Sequence, residues 1–476
     1  MANSYPTEMN AMTETKNPLT AFAQWCAATP NSWSKVATDR AHDAFIDTLA
    51  VMVPGALEDV SKTVAGLAAK WGQGACHAVG FKAGFSAPMA ALVNGTSAHA
   101  LDFDDNFDPA KAHASAVIIP ALLAVGEENN ATYAQMLDAY IVGLQIMGLT
   151  GQGVNPFHRS RGWHATATIG TVGAAAGCAR LMKLKPEQAA HAISLSTSLA
   201  GGFMSQFGTM TKPLHAGLAA AGAVQATQFA EAGITAGSET LHGPQGMGTL
   251  MVGPDVADLR ALMADKDEYG QKVTFRTSDI GSPLHIEKYG LKPKRFPNCG
   301  SIHRALDGLL ELREKYGFDS TVVKKVFIRA PAAHLRNLMY DKPASPTEAR
   351  FSLEYSLAVG LYSGTVGVAD YEMDAIKRPE IWALMPLIHK EYIDKLESDF
   401  PTQIHVTLAS GETISTEVDM PVGSSAQPFT AKQLWQKFDT CTKPFLSQTQ
   451  HKKVTALLKT EKPESISVQE LMTLLI

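Results

Sequence analysis

Asp102-Phe103-Asp104-Asp105, then Asp108, Lys111 and His113, place four carboxylates, an ammonium and an imidazole within twelve residues, just ahead of the apolar run Val117-Ile118-Ile119-Pro120. Charge that dense against a core element is unfavourable unless the groups pair, bind a ligand or reach water. The cluster therefore reads as one wall of a site. Four further segments hold polar groups in unexpected company, and each is a candidate for an opposite wall.

In Gly162-Trp163-His164-Ala165-Thr166 an imidazole precedes a small-residue helix predicted from Ile169. A helix N-terminus favours neutral imidazole, which suits a base; a capping or core histidine is the plainer alternative. Lys212 and His215 lie three apart beside Met210, Pro213 and Leu214, ahead of a helix predicted from Gly217. An ammonium in apolar company calls for an anion, either a substrate carboxylate or a local Asp or Glu. The stretch Lys292-Pro293-Lys294-Arg295-Phe296-Pro297-Asn298-Cys299-Gly300-Ser301-Ile302-His303 is an irregular loop whose cations precede a helix start, a natural carboxylate site. Cys299 reads as a small buried thiol, and His303 stands one turn before Asp307, as an orienting pair or a local hydrogen bond. Glu348, Ser352 and Tyr355 fall near one face of another helix start, where the Tyr hydroxyl could donate to a carboxylate or anchor the core.

Together these groups could move a proton beside a carboxylate while cations hold the anion. HExxH, GxSxG and Walker sequences are absent, and the glycine-rich pieces 151–153 and 246–253 lack the strand–turn–helix context of a dinucleotide site. Common metal-, nucleophile- and nucleotide-dependent chemistries are thereby disfavoured.

The elements that must position these groups divide the chain. Its 476 residues exceed what one core supports, and 45% apolar with 18% charged residues is an ordinary globular balance. Helical spacing runs from about Pro18 to Gly253, through 41–53, 86–99, 132–149, 169–184 and 186–200. After a polar stretch at 265–281, Val322–Ala330 alternates as a strand, and Ile404–Leu408 and Thr413–Val418 flank Ser410-Gly411 as a hairpin. Helices are predicted at Ile302–Tyr316 and Leu353–Ser363, and the chain turns helical again from Thr430. The expected fold is mainly α: residues 1–268 and 428–476 form a large all-helical domain, and 269–427 a smaller α+β domain.

A net charge of −5 provides no footprint for nucleic acid. Five widely spaced cysteines without a CxxC pair argue against a disulfide framework or thiolate metal cage and fit a reducing cytoplasm. The polar N-terminal segment lacks an apolar signal core, and no stretch reads as a membrane span.

In order, LDFDDNFDPAKAHASAVIIPAL, GWHATATIGTVGAAAGCARLM, GTMTKPLHAGLAAAGAVQA, KRFPNCGSIHRALD and EARFSLEYSLAVGL resemble the MmgE/PrpD family. Pro421-Val422-Gly423 and Lys437-Phe438 extend the resemblance, which runs from about Pro18 over nearly the whole chain. That family includes 2-methylcitrate dehydratases, cis-aconitate decarboxylases and iminodisuccinate epimerases. The resemblance implies a large helical domain with a smaller α+β lid, a homodimer, and no metal or organic cofactor. A site of the decarboxylase type would use Asp102, His113, His164, Lys212, Lys294 and Tyr355, with Asn106 where those enzymes carry threonine. In that reading Lys212 and Lys294 hold carboxylates and His113 or His164 moves the proton. Asp102 orients an imidazole, and Tyr355 completes the anion clamp. His215, Arg295 and His303 are further substrate-binding candidates, while Asp104, Asp105 and Asp108 shape the loop. The implied activity is a cofactor-independent lyase of a di- or tricarboxylate; an epimerase or racemase and a non-catalytic carboxylate-binding protein are the alternatives.

Overall fold

The computed structural model describes residues 17–253, 275–393, 400–460 and 462–476. The polar N-terminal segment before Asn17 and the boundary expected at 268/269 lie outside the described residues.

Asn17 and Ser34 accept the Thr20 and Ala37 N–H groups and so start α1 (Pro18–Ala28) and α2 (Lys35–Gly55). There follow α3 (Asp59–Trp71), a short hairpin of β1 (Cys76–Ala78) and β2 (Phe81–Phe85), and α4 (Ala87–His99). The Asp102–His113 loop leads into α5 (Ser115–Glu128), and a Thr132/Gln135 capping box opens α6 (Tyr133–Val154). Next come α7 (Phe157–Ser160), α8 (Ala165–Leu181), α9 (Pro186–Thr197) and α10 (Thr211–Glu231). Small residues set the spacing at the centre: a Cβ added to Gly95 would lie 2.8 Å from the Gly217 Cα. Helices α4 and α10 therefore cross at glycine-on-glycine distance, which brings the loop after α4 beside the first turn of α10.

One hydrophobic core joins α1–α6 and α8–α10 with Ile280, Leu284, Ile286 and Tyr289. The tail belongs to it too, through Leu434, Phe438, Val454, Leu458 and Leu471. A second core holds Phe296, Leu306, Val326, Tyr355, Ile388 and Ile404. Its sheet has the order β4-β3-β5-β6, built from β3 (Val323–Pro331), β4 (Ile388–Ile393), β5 (Thr402–Leu408) and β6 (Thr413–Val418). Strand β4 runs parallel to β3, with Val326 opposite Ile388, while β5 and β6 are antiparallel additions. The buried face, including Val326, Ile328, Ile404 and Val406, is covered by the helices Gly300–Tyr316 and Leu353–Ser363. The fold is thus a mainly α unit with a smaller sheet-containing one.

Three strands escaped the sequence pattern. In β1–β2 only Phe85 of the segment FKAGF is buried, and β4 (IHKEYI) is an edge strand whose charges hide the alternation. Helix α10 also begins at Thr211 rather than near Gly217, which puts Lys212 and His215 in its first turns. All five cysteines are free and buried, and no helix among the described residues is long and apolar enough to cross a membrane.

Candidate active site

A cavity of about 210 Å³ lies where the two cores meet. The helical unit contributes Asp102, His113, His164 and Lys212 to its wall, the segment leading into the Gly300–Tyr316 helix contributes Lys294, and the first turn of that helix contributes His303. Asn106 also lines it; its backbone exchanges N–H···O bonds of 3.0 and 2.9 Å with Lys292, which docks the acidic loop onto the Lys292–Lys294 segment.

Asp102 sits at φ +49°, a left-handed conformation that costs a non-glycine residue about 1–2 kcal/mol. Two ammoniums hold it there. Lys212 Nζ donates to Asp102 Oδ1 at 2.7 Å, and Lys294 Nζ donates to the same oxygen at 2.8 Å and to the Asp102 carbonyl at 2.7 Å. Burial works against the charge of Asp102, but the two lysines outweigh it and hold the carboxyl well below the usual carboxylate range. Lys212 Nζ also faces the rings of Phe207 and Phe351, 5.4 and 5.1 Å from their centroids.

Asp104 is fully buried between two imidazoles. His99 Nδ1 lies 3.0 and 2.9 Å from its oxygens, and His113 Nδ1 lies 3.3 Å from Oδ2. His113 Nδ1 also reaches the Asp105 carbonyl at 2.9 Å, and the His113 N–H donates to Thr166 Oγ1 at 3.1 Å. With two acceptors at Nδ1, the proton resides there and Nε2 keeps its lone pair, 3.8 Å from Asp102 Oδ1. Burial depresses the His113 pKa below its ordinary value and drives His99 down to about 3, so both rings are neutral near pH 7. The carboxylate at His113 Nδ1 is Asp104, which the sequence reading left to loop shape, while Asp102, expected to orient an imidazole, faces Nε2 at the longer distance.

His164 occupies the N-cap position of α8, and its Nδ1 lies 3.0 Å from His215 Nδ1. Its buried Nε2 has no hydrogen-bond partner among the described residues. Burial, with Lys212 next, pushes its pKa well below the usual imidazole value. His215 stands behind His164 and does not line the cavity.

Two other expected residues are placed elsewhere. Tyr355 is 0% exposed, and its hydroxyl donates to the Asp370 carbonyl at 2.5 Å. Ser352 caps its helix by accepting the Tyr355 N–H, and that start turns the ring into the second core against Tyr371. Arg295 pairs with Asp307 at 2.9 Å and points outward rather than into the cavity. Cys299 lines the cavity, but burial raises its thiol pKa, so it stays protonated.

Sequence reasoning passed over His99, Arg159, Arg304 and Phe207, and gave Asp104 only a role in loop shape. His99 ends a helix thirteen residues long and looks like any C-terminal cation. Its spacing of five residues to Asp104 was the available signal. The permanent charges lining the cavity are Lys111, Arg159, Lys212, Lys292, Lys294 and Arg304 against Asp102 and Asp108. Asp108 pairs with Lys292, and cationic side chains outnumber carboxylates along the wall.

Among the described residues one group has the donors for a metal ion: ligand atoms of His99, Asp102, Asp104 and His113 lie within 4.8 Å of one another. Asp102 Oδ1 already accepts two ammoniums and Asp104 two imidazole N–H groups, so this donor set fits internal pairing better than a cation.

A family model for the MmgE/PrpD N-terminal domain matches residues 20–260, and one for the MmgE/PrpD C-terminal domain matches residues 296–461. The chain is 27% identical over 377 residues to a cis-aconitate decarboxylase of Homo sapiens, covering 75% of this chain and 73% of that one. It is 26% identical over 394 residues to that of Mus musculus, covering 80% and 77%. To one of Aspergillus terreus it is 23% identical over 406 residues, covering 81% and 80%.

Proposed function

The chain belongs to the MmgE/PrpD family, and from that membership we propose that it is a lyase acting on a di- or tricarboxylate by proton transfer beside a carboxylate. The observation that carries this reading is the meeting of Lys212 and Lys294 on one oxygen of Asp102 at the cavity wall. Two ammoniums share one carboxylate there, on a wall where cationic side chains outnumber carboxylates, which suits a second anion supplied by substrate. Electron density developing on carbon next to that anion would be stabilised by the same charges.

His113 is the proton carrier in this reading. For loss of water its neutral Nε2 takes a proton from carbon and the proton gained goes to the leaving hydroxyl; for loss of CO2 the ring takes a proton from solvent and delivers it to the carbon from which CO2 has left. Asp104 and the Asp105 carbonyl keep Nδ1 protonated, so Nε2 is the basic atom. The cis-aconitate decarboxylases among the relatives favour loss of CO2 as the outcome. His164 supports a second reading, since a neutral imidazole beside His113 on the wall could serve the opposite face of a carbon in an epimerase.

Incubation with a panel of di- and tricarboxylic acids in deuterated water, followed by proton NMR, separates these outcomes. The expected result is a released fragment and an unsaturated or decarboxylated product carrying solvent deuterium. Exchange with inversion alone would select the epimerase, and neither exchange nor turnover with any acid would sink both readings.

A further inference from the structure

The helix Ala431–Thr442 lays Leu434, Phe438 and Cys441 into the large core, and Lys437 lies on the same stripe, only 8% exposed. Its ammonium has three neighbours: Asp47 Oδ1 of α2 at 2.6 Å, the Phe103 carbonyl at 2.8 Å, and the Phe103 ring, 4.0 Å from the centroid. Phe103 directly follows the left-handed Asp102, whose own carbonyl accepts Lys294. Consecutive carbonyls of the acidic turn are thus each capped by a lysine, one from the cavity side and one from behind. The next two residues hold His113, Asp104 through its carboxylate and Asp105 through its carbonyl.

We propose that Lys437 is a positioning residue: by fixing the Phe103 carbonyl from behind, it sets the turn that holds His113 as the Nδ1-protonated tautomer facing the cavity. Stability alone does not call for this arrangement. A buried ion pair is typically no better for stability than apolar side chains of similar size, and Lys437 stands in an apolar stripe that a methionine would fill. What an apolar pair cannot supply is a directed donor to the Phe103 oxygen. The inference rests on His113 being the proton carrier for its catalytic meaning, but the placement of the ring is measurable without any substrate.

The test compares wild type with Asp47→Leu/Lys437→Met, which removes both charges together and leaves no lone buried carboxylate. Ring-15N-labelled histidine reports the His113 tautomer, assigned by its loss in His113→Ala, and thermal melting reports the fold. Wild type should show one protonated Nδ1. The double variant should melt near wild type yet show His113 exchanging between tautomers, with kcat reduced on the order of a hundredfold and KM changed far less. An unchanged His113 signal in the folded double variant overturns the proposal, whatever happens to turnover. If wild type turns over no polycarboxylate while the His113 signal still changes, the lyase reading fails and the positioning role stands. Asp47→Asn/Lys437→Met, closer to the native volume, is read the same way where the leucine variant does not fold.

Discussion

The Asp102–Asp105 turn meets lysines on both its sides, but in different proportion. Facing the cavity, Lys212 and Lys294 converge on one carboxylate, that of Asp102. Behind the turn, Lys437 meets one carboxylate, that of Asp47. The rear pair is balanced and buried, and neither of its members lines the candidate active-site cavity. In front, two ammoniums share one carboxylate oxygen beside open volume. Equal chemistry thus separates into structure and function by stoichiometry and access to the cavity.

The largest effect should come from the front. His113→Ala should lower turnover by about a hundred- to ten-thousandfold with little change in melting temperature, measured on the acid found in the NMR screen. Full activity would remove His113 from the mechanism. Next, the lysines themselves should respond oppositely. Lys437→Met strands the Asp47 carboxylate and should lower stability by about 3–5 kcal/mol in denaturant unfolding. Lys212→Met leaves Asp102 still paired with Lys294, so it should unfold close to wild type while losing most of its kcat/KM. Equal destabilisation by the two would erase the distinction between front and back.

The two sides should also titrate differently. Burial raises the Asp105 carboxyl to about 7, although Ser115 donates to it. The folded state then binds a proton that the unfolded chain, near 3.8, does not, so this group's contribution to stability falls as pH rises from about 4 to 7. The slope is about 1.4 kcal/mol per pH unit, and Asp105→Asn should remove it when unfolding curves are compared across that range. At the front, the depressed His113 pKa keeps the base neutral through pH 7, so kcat/KM should fall only as pH drops below about 6.5. Smallest of all is Tyr355→Phe. Its hydroxyl serves the Asp370 carbonyl, so its loss should cost about 1 kcal/mol of stability and leave turnover essentially unchanged. A large kcat loss would show that Tyr355 reaches the substrate after all.

The helical periodicity of the first 250 residues, the Leu353–Ser363 helix and the β5–β6 hairpin were all readable, because each is a local pattern repeated over several turns or a pair of strands. The lone strand β4 was not, since it acquires its partner 62 residues away, with Phe327 opposite His389. In the site, Asp102, His113, His164, Lys212 and Lys294 stood out as charges in apolar settings, and the fold brings all five to one cavity. Arg295 stood out by its loop of cations and Tyr355 by its place at a helix start, yet each finds a protein partner away from the cavity.

Residue types and order determined by themselves that an acidic turn, two imidazoles and two lysines exist in loops and helix starts where charge is unfavourable unless answered. Which group answers which was decided by tertiary structure. The left-handed backbone at Asp102 turns its carboxylate to the lysines and the carboxylate of Asp104 to His99 and His113. Adjacent side chains in a turn diverge by the dihedrals of single residues, and those dihedrals are held by donors as distant as Lys294 and Lys437. Local pattern carries no record of such contacts, because they exist only once the helices have packed.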